Sequence, residues 1–149
     1  MIRPIERRDL DAVVRLRLAL WPDGSAEEHA REVADLLDGK PRSTLPLAIL
    51  VADEGAVVGF AEVGLRSHAD GCDAARPVGY LEGWFVRPED RRRGLGRALV
   101  AAAADWARAR GARELASDTW ADNEVSVGAH VALGFEVVDR CVHFRKPLA

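Results

Sequence analysis

The chain has 149 residues, a length that fits one domain with a core of its own. Its composition is 48% hydrophobic and 30% charged, which is typical of a soluble globular protein, and no apolar run reaches the length of a membrane span. The formal charge of −3 argues against a nucleic-acid-binding protein, which usually carries a strong basic excess. We therefore expect a single domain, residues 1–149, with neither nucleic acid nor a membrane as its partner.

The two cysteines suggest neither a disulfide nor a metal site. Cys72 and Cys141 are far apart in the sequence and lack the spacing of metal ligands. With no signal peptide at the start of the chain, we expect both thiols to be reduced. The expectation is a cytoplasmic protein without a bound metal.

The first half of the chain predicts a strand, two helices and a hairpin. The first helix ends at the turn-forming cluster Trp21-Pro22-Asp23-Gly24. Ser25 and Glu28 have the spacing of a capping box and open the second helix. The sequence Asp53-Glu54-Gly55 joins two strands in the manner of a hairpin. The predicted elements are a strand at residues 1–5, helices at 9–20 and 26–37, and strands at 47–52 and 56–66.

The second half alternates strands and helices. After a polar loop at residues 67–77, we predict a strand at 78–86, a helix at 94–110 that stops at Gly111, a strand at 113–117, a helix from Asn123 to Gly134, and strands at 135–139 and 140–146. The element order is β-α-α-β-β-β-α-β-α-β-β. This order predicts an α/β (α+β) protein in which helices flank a mixed central sheet.

Glu82 is a carboxylate inside an otherwise apolar strand. Strand alternation puts it on one face with Tyr80, Trp84 and Val86. A buried unpaired carboxylate is costly, so Glu82 must be paired, protonated or exposed to a cleft. The next residue, Gly83, permits a β-bulge, and bulges beside active sites re-aim side chains. Glu82 is therefore either a salt-bridged strand residue or a general base among apolar groups.

The loop after this strand is a candidate anion site. It carries Arg91, Arg92 and Arg93, followed by Gly94-Leu95-Gly96 at the start of a helix. A helix N-terminus reached through glycines presents several backbone N–H groups in one direction, which is a common site for phosphates. The loop lacks the Gly-Lys-Ser/Thr of a Walker A loop, and Leu99 stands where the dinucleotide fingerprint has its third glycine. The alternative is an ordinary strand-to-helix connection with exposed arginines.

At these residues the chain resembles the GNAT acyltransferase superfamily, whose acetyl-CoA pyrophosphate motif is Gln/Arg-x-x-Gly-x-Gly/Ala. Arg91-x-x-Gly94-x-Gly96 matches this motif, and the preceding strand, the Asn123 helix and Gly134-Phe135 fall in the superfamily's order. The resemblance implies the GNAT fold, with acetyl-CoA as co-substrate. It also implies three sets of coenzyme contacts: the main chain of Trp84, Phe85 and Val86 with the pantetheine arm, the amides of Arg91, Arg92, Arg93, Gly94, Leu95 and Gly96 with the pyrophosphate, and Asn123 further along.

A narrower resemblance covers nearly the full length. The chain is similar to the chromosomal, dimeric subgroup of aminoglycoside 6′-N-acetyltransferases in fragments that occur in the same order: Leu20-Trp21-Pro22, Asp70-Gly71-Cys72-Asp73, Leu81-Glu82-Gly83-x-Phe85-Val86, Ala116-Ser117-Asp118-Thr119 and His130-x-Ala132-Leu133-Gly134-Phe135-Glu136. This resemblance implies a homodimer, Glu82 as the base, and a substrate site lined by Trp21, His68, Asp118 and Asp139. The chain departs from the subgroup's pattern at Asp23-Gly24, which replaces a histidine, and at His68, where an aromatic substrate contact falls.

The expected function is transfer of the acetyl group of acetyl-CoA to the 6′-amine of an aminoglycoside, which confers antibiotic resistance. Glu82 would take a proton from the substrate ammonium, and the amine would attack the thioester directly. His130 is the candidate general acid for the leaving thiolate, and packing beneath the sheet is its alternative role. Two other functions stay open: acetylation of another small polyamine or a protein amine, and a non-catalytic acyl-CoA-binding module.

Overall fold

The computed structural model describes residues 1–149, which form a five-stranded sheet and four α-helices. The strands are β1 (Ile2–Pro4), β2 (Leu47–Asp53), β3 (Val57–Arg66), β4 (Val78–Val86) and β5 (Leu115–Ser117). The helices are α1 (Leu10–Leu20), α2 (Ala26–Leu37), α3 (Leu95–Arg108) and α4 (Glu124–Ala132), with short 3-10 turns at Arg7–Asp9 and Pro88–Asp90. None of the helices has the length and apolar character that a bilayer crossing requires.

The strands lie side by side in chain order, and helices cover both faces of the sheet. Neighbouring strands from β1 to β4 are antiparallel, whereas β5 runs parallel to β4. On one face, α3 contributes Leu99 and Ala103 to the larger core cluster. On the other face, Val13 of α1 and Val33 of α2 pack against Phe60 of β3. The predicted mixed sheet flanked by helices is therefore confirmed.

The helix starts follow the local signals in the sequence. The Ser25 hydroxyl accepts a hydrogen bond from the Glu28 N–H at 3.1 Å, and the Glu28 carboxylate accepts one from the Ser25 N–H at 3.3 Å. This is the predicted capping box. At α4, the Asn123 side-chain oxygen accepts a hydrogen bond from the Ser126 N–H at 3.1 Å. Asn123 is thus an N-cap, which satisfies one of the free amides of the helix.

The two strands predicted at residues 135–139 and 140–146 do not form, and that prediction was wrong. After Gly134 the chain has no regular structure, and its last main-chain bond to another part of the protein is from the Phe135 N–H to the His130 carbonyl. β5 lies at the edge of the sheet and pairs only with β4. A strand needs a neighbour that supplies N–H and C=O partners, and an apolar pattern alone does not provide one. Val142 and Phe144 of this segment are exposed.

Candidate active site

A cleft of about 630 Å³ lies between the α1–α2 side of the molecule and the sheet. Two of the predicted substrate-binding residues, Trp21 and Glu82, line it. Its charged side chains are Glu28, Glu32, Glu62 and Glu82 against Arg17, Arg42 and Arg66. Three of the four carboxylates pair with these arginines, and Glu28 has no arginine partner, so an unpaired acid remains for a cationic ligand.

Glu82 is the extra residue of a β-bulge. Glu62 of β3 lies opposite Gly83, and the next residue, Val63, lies opposite Leu81, so Glu82 has no partner across the β3–β4 ladder. A bulged residue leaves the regular pleat and can be turned toward one face. The bulge predicted at Gly83 is confirmed.

The bulge changes which residues share a face with Glu82. Trp84 and Val86 belong to the core cluster under α3, together with Leu81. Glu82 instead lines the cleft on the opposite face, beside Trp21. The prediction that Glu82 shares a face with Trp84 and Val86 was therefore wrong, because one inserted residue reverses the alternation of a strand.

Arg66, the last residue of β3, holds the Glu82 carboxylate. Its Nη2 donates to both carboxylate oxygens of Glu82, at 2.9 and 2.8 Å, and its Nε donates to Oε1 at 3.2 Å. The guanidinium carbon lies 3.4 Å from the centre of the Tyr80 ring. The Glu82 side chain is 29% exposed. The sequence left three states open for Glu82: paired, protonated or exposed to a cleft. In the structure its carboxylate is both paired and exposed to a cleft.

Asp118 joins the same group through Tyr80. The Tyr80 hydroxyl donates to Oδ2 of Asp118 at 2.5 Å. Burial, and then the bond to Asp118, raise the pKa of Tyr80 far above its usual value, so the phenol stays neutral and acts as a donor. Asp118 follows Ser117, which pairs with Leu81, the residue before Glu82. The two acids thus lie at neighbouring positions along adjacent strands, Asp118 directly after the end of β5 and Glu82 within β4.

Trp21 forms a wall of the cleft and packs directly on the bulge. A Cβ atom placed on Gly83 would come within 2.6 Å of Cζ2 of the indole. The indole also meets Phe60 edge-on, with ring centres 5.9 Å apart. Glycine at position 83 is therefore required for the close approach of Trp21.

Behind Trp21, the buried Arg17 connects α1, α2 and β3. It donates to Glu62 at 2.7 Å and to Nδ1 of His29 at 3.2 Å, and it also pairs with Glu32. Since Nδ1 of His29 accepts, Nε2 carries the proton and donates to the Trp21 carbonyl at 3.2 Å. Burial raises the pKa of Glu62 to about 7, although Arg17 opposes this shift.

This network and Arg66 were not singled out from the sequence. The signals were nevertheless present: Arg17 falls three and four residues after the buried Val14 and Val13 of the same helix. Glu62 is a carboxylate in a buried strand, the same anomaly that drew attention to Glu82. Arg66 carries no such signal, because an arginine at the end of a strand is ordinary.

The edge of β4 that faces β5 is open beyond Leu81. β5 pairs with β4 only from Gly79 to Leu81. On the other edge, the Arg87 N–H donates to the carbonyl of Val58, which makes these two residues a hydrogen-bonded antiparallel pair. Hydrogen-bonded pairs alternate along such a ladder. The main chain of Phe85 therefore points toward β3.

By the same alternation, the main-chain groups of Trp84 and Val86 point to the open edge. The Val86 carbonyl already accepts a hydrogen bond from Nε of Arg91 at 2.8 Å. The N–H of each residue and the Trp84 carbonyl are the groups at this edge to which an added extended chain can bond. The predicted role of Phe85 main-chain groups does not match this geometry.

The loop from Arg91 to Gly96 presents free amides. The N–H groups of residues 92–97 make no hydrogen bond within the protein, whereas the Arg91 N–H donates to Pro88 at 3.3 Å. Gly94 has φ +80° at the N-cap of α3, a conformation that favours glycine. Consecutive free amides at a helix N-terminus form an anion site.

The loop arginines serve mainly to hold the loop. The Arg91 side chain bonds to β4, and Arg93 bonds to Asp90 at 3.0 Å and to Glu54 at 3.1 Å. Arg92 is exposed, with no hydrogen bond or ion pair within the protein. The main-chain amides, rather than the arginine side chains, are therefore the main hydrogen-bond donors available to an anion.

His130 lies beneath the junction of β4 and β5. Its Nδ1 donates to the Ser126 carbonyl at 2.7 Å, and its Nε2 lies 2.9 Å from the Ser117 hydroxyl. The ring meets Trp84 edge-on, with centres 4.7 Å apart. The ring of His130 is therefore packed beneath the sheet, which was the alternative to a role as general acid. It also lies next to the open edge of β4.

The remaining predicted residues lie outside the cleft. His68 is exposed and contacts the hydroxyl of Ser67 at 3.0 Å. Asp139 is exposed in the C-terminal segment and accepts a hydrogen bond from the Arg140 N–H at 2.7 Å. The side-chain oxygen of Asn123 is engaged as a helix cap. Of the predicted substrate-binding residues, Trp21 and Glu82 line the cleft, and Asp118 is connected to them only through Tyr80.

Residues 10–135 match the acetyltransferase (GNAT) family. The chain belongs to this family. It is 45% identical to an aminoglycoside N(6′)-acetyltransferase type 1 of Klebsiella aerogenes over 99% of this chain and 97% of that protein. It is 43% identical to a protein of the same name from Stenotrophomonas maltophilia, over 99% of this chain and 93% of that one.

Solved structures of similar proteins have the same fold. AAC(6′)-Iy in complex with the bisubstrate analogue CoA-S-monomethyl-acetylneamine superposes with a TM-score of 0.86, at 35% identity, over 99% of this chain and 98% of that chain. AAC(6′)-Iy with CoA gives a TM-score of 0.87 at 36% identity, over 99% and 95% of the two chains. The GNAT fold expected from the sequence is confirmed.

Proposed function

We propose that this protein transfers the acetyl group of acetyl-CoA to the 6′-amine of aminoglycosides. The observation that carries the proposal is the bulge in β4. It turns Glu82 into an acidic cleft beside Trp21, while the same strand keeps an open edge next to the free amides of residues 92–97. An amine site and an acyl-CoA site thus meet on one strand.

The names of the relatives support the substrate class. Both bacterial relatives are called aminoglycoside N(6′)-acetyltransferases, and a structural neighbour was solved with an acetylneamine analogue joined to CoA. A polyamine suits a cleft in which carboxylates outnumber guanidinium groups. A 6′-amine beside Glu82, with Asp118 nearby, is the arrangement that we propose.

The chemical step is a direct transfer. Glu82 takes a proton from the substrate ammonium, and the resulting amine forms an N–C bond to the thioester carbonyl as the C–S bond breaks. Main-chain N–H groups at Trp84 and Val86 polarise that carbonyl. The nitrogen releases its surplus proton as the C–S bond breaks, and the departing thiolate gains one; His130, whose Nε2 contacts the Ser117 hydroxyl next to this edge, relays that proton. Coenzyme phosphates are held by the amides of residues 92–97, and the side chain of Asn123, whose amide nitrogen is not used in the cap, contacts the coenzyme further along.

An amine panel tests the proposal. Release of free CoA is followed with a thiol reagent in the presence of acetyl-CoA and, in turn, neamine, spermidine and a lysine-containing peptide. Turnover of neamine, with the product acetylated at the 6′-position by NMR, is the expected result. Turnover of only the other amines would favour a different acceptor, and CoA binding without turnover would favour a non-catalytic module.

We further infer a cytoplasmic homodimer in which the C-terminal segment is the contact surface. Val142, Phe144 and Leu148 expose 76%, 92% and 88% of their surface, and β5 has an unpaired edge. Two free cysteines and a need for acetyl-CoA fit the cytoplasm. Light scattering should give twice the chain mass for the wild type, and Val142→Glu combined with Phe144→Glu should give the single-chain mass.

A further inference from the structure

Arg66 occupies the carboxylate to which the proposed function assigns the substrate ammonium. Its guanidinium donates to both oxygens of Glu82 at 2.8 to 3.2 Å. These are the distances of a charge-assisted bond between a cation and a carboxylate. Both residues line the wall of the cleft.

We infer that Arg66 is a resident cation that fills the ammonium subsite of Glu82 and is displaced by each acceptor that binds. The inference rests on the proposed function, since it takes Glu82 as the group that receives the amine. It assigns to Arg66 a role in specificity and not in the chemical step.

The two cations cannot share the carboxylate without cost. The guanidinium already contacts both oxygens of Glu82. A substrate ammonium at hydrogen-bond distance from the same carboxylate would lie about 4 Å from the guanidinium, where like charges repel strongly. Binding of the amine to Glu82 therefore requires Arg66 to withdraw.

The surroundings of Arg66 allow this movement. All of its side-chain hydrogen bonds go to Glu82, so withdrawal breaks no other polar contact. Its side chain is 45% exposed, and its guanidinium lies over the Tyr80 ring, which stabilises a cation through its π-face. Arg17 in the same cleft is different, because it is 5% exposed and bonds to Glu62, Glu32 and His29.

The consequence is selection for cationic acceptors. When Arg66 withdraws, Glu82 loses its positively charged partner, and the substrate ammonium takes the place of that partner. A hydroxyl group in the same place brings no charge, so the carboxylate keeps its guanidinium. Arg66 would thus exclude alcohols and water from the base until a protonated amine arrives.

The test compares Arg66→Gln with Arg42→Gln. Arg42 lines the same cleft and pairs with Glu32, and its side chain is 69% exposed, so its removal changes the cleft charge equally without touching Glu82. With neamine as acceptor, we expect Arg66→Gln to lower KM about fivefold below that of Arg42→Gln, the size of one exposed ion pair. The kcat of Arg66→Gln should not fall.

A binding cycle provides the second readout. The neamine Kd is measured by calorimetry for the wild type, Arg66→Gln, Glu82→Gln and the double variant. Arg66→Gln should lower Kd only where Glu82 is present. Should Arg66→Gln fail to fold, Arg66→Met, which keeps most of the side-chain length but carries no charge, should still lower KM.

Two results would overturn the inference. One is a KM for Arg66→Gln equal to that of Arg42→Gln. The other is a tenfold fall in kcat at unchanged KM, which would mean that Arg66 orients Glu82. Absence of neamine turnover by the wild type would instead refute the proposed function, and the neamine Kd cycle would still report on Arg66.

Discussion

The indole of Trp21 lies so close to Gly83 that a Cβ atom there would approach it to 2.6 Å. This contact joins the turn after α1 to the bulge of β4, and it sets the distance between one wall of the cleft and the carboxylate of Glu82. The width of the acceptor site therefore depends on residue 83 being a glycine, which has no side chain.

Gly83→Ala should displace Trp21 and destabilise the protein by about 1–3 kcal/mol, the usual cost of overpacking. Urea unfolding measures this change, and neamine KM should rise with it. Gly128→Ala is the control, since a Cβ atom at that position in α4 meets no atom within 4 Å. Equal stability of the two variants would contradict the contact.

Glu82→Gln should reduce kcat by roughly 10²–10⁴-fold, the range for loss of a general base. The side chain keeps its size, and the coenzyme contacts are main-chain groups of Trp84, Val86 and residues 92–97, so CoA affinity should not change. Stopped-flow kinetics and CoA titration separate the two effects. An unchanged kcat would remove Glu82 from the role of base.

His130→Gln should lower kcat by roughly 10²-fold if the imidazole protonates the thiolate. The ring also packs on Trp84, so the melting temperature is measured on the same samples. A loss of melting temperature with kcat unchanged would leave His130 only its packing role.

Gly96→Ala should separate stability from coenzyme binding. Its nearest neighbour to an added Cβ is Nε1 of Trp84, at an ordinary 3.5 Å, and alanine stabilises a helix by up to about 1 kcal/mol relative to glycine. We expect a higher melting temperature together with weaker CoA binding, because the methyl group stands among the free amides. A stabilised variant with unchanged CoA affinity would argue against a pyrophosphate at this loop.

Glu62 makes stability depend on pH. Burial raises its pKa to about 7 from an ordinary value of 4.5, so the folded state holds this proton more tightly than the unfolded state. The resulting contribution to the free energy of unfolding is complete below pH 4.5, the ordinary pKa that applies in the unfolded state. It is lost as the pH rises to about 7, the pKa in the folded state. Asp9 and Asp53, whose pKa values are lowered chiefly by hydrogen bonds to Arg3, act in the opposite sense and below about pH 4.

Between pH 5 and 8, the wild type should therefore lose up to about 3 kcal/mol of stability relative to Glu62→Gln. Urea unfolding of both proteins at the two pH values checks this difference. Glu27→Gln, which removes an exposed carboxylate of α2, is the control for loss of charge. If the wild type and Glu62→Gln differed in free energy of unfolding by the same amount at both pH values, the raised pKa of Glu62 would be contradicted.

The sequence predicted most of the fold because local signals and tertiary packing agree in the first 134 residues. The capping box at Ser25, the turn after Leu20 and the glycines around α3 each mark an element boundary that the structure has. The C-terminal strands were predicted wrongly because strand formation depends on a pairing partner, which no local pattern reveals.

The site was predicted in part for the same reason. Glu82 was found because a carboxylate in an apolar strand is unusual at any position. The face of the sheet on which Glu82 lies was not predicted correctly, because alternation assumes an uninterrupted pleat. The bulge becomes apparent only from the pairing of β4 with β3. Arg66 was missed because its importance arises entirely from a contact across the β3–β4 ladder.

The single extra residue in β4 also limits how this enzyme can diversify. Removing or adding one residue there would exchange the two faces of the strand and move the base away from the acyl donor at once. Changes of acceptor preference are therefore expected to accumulate in α1, α2 and the loop at residues 41–43, which line the cleft and can vary without altering the strand that aligns the reacting groups.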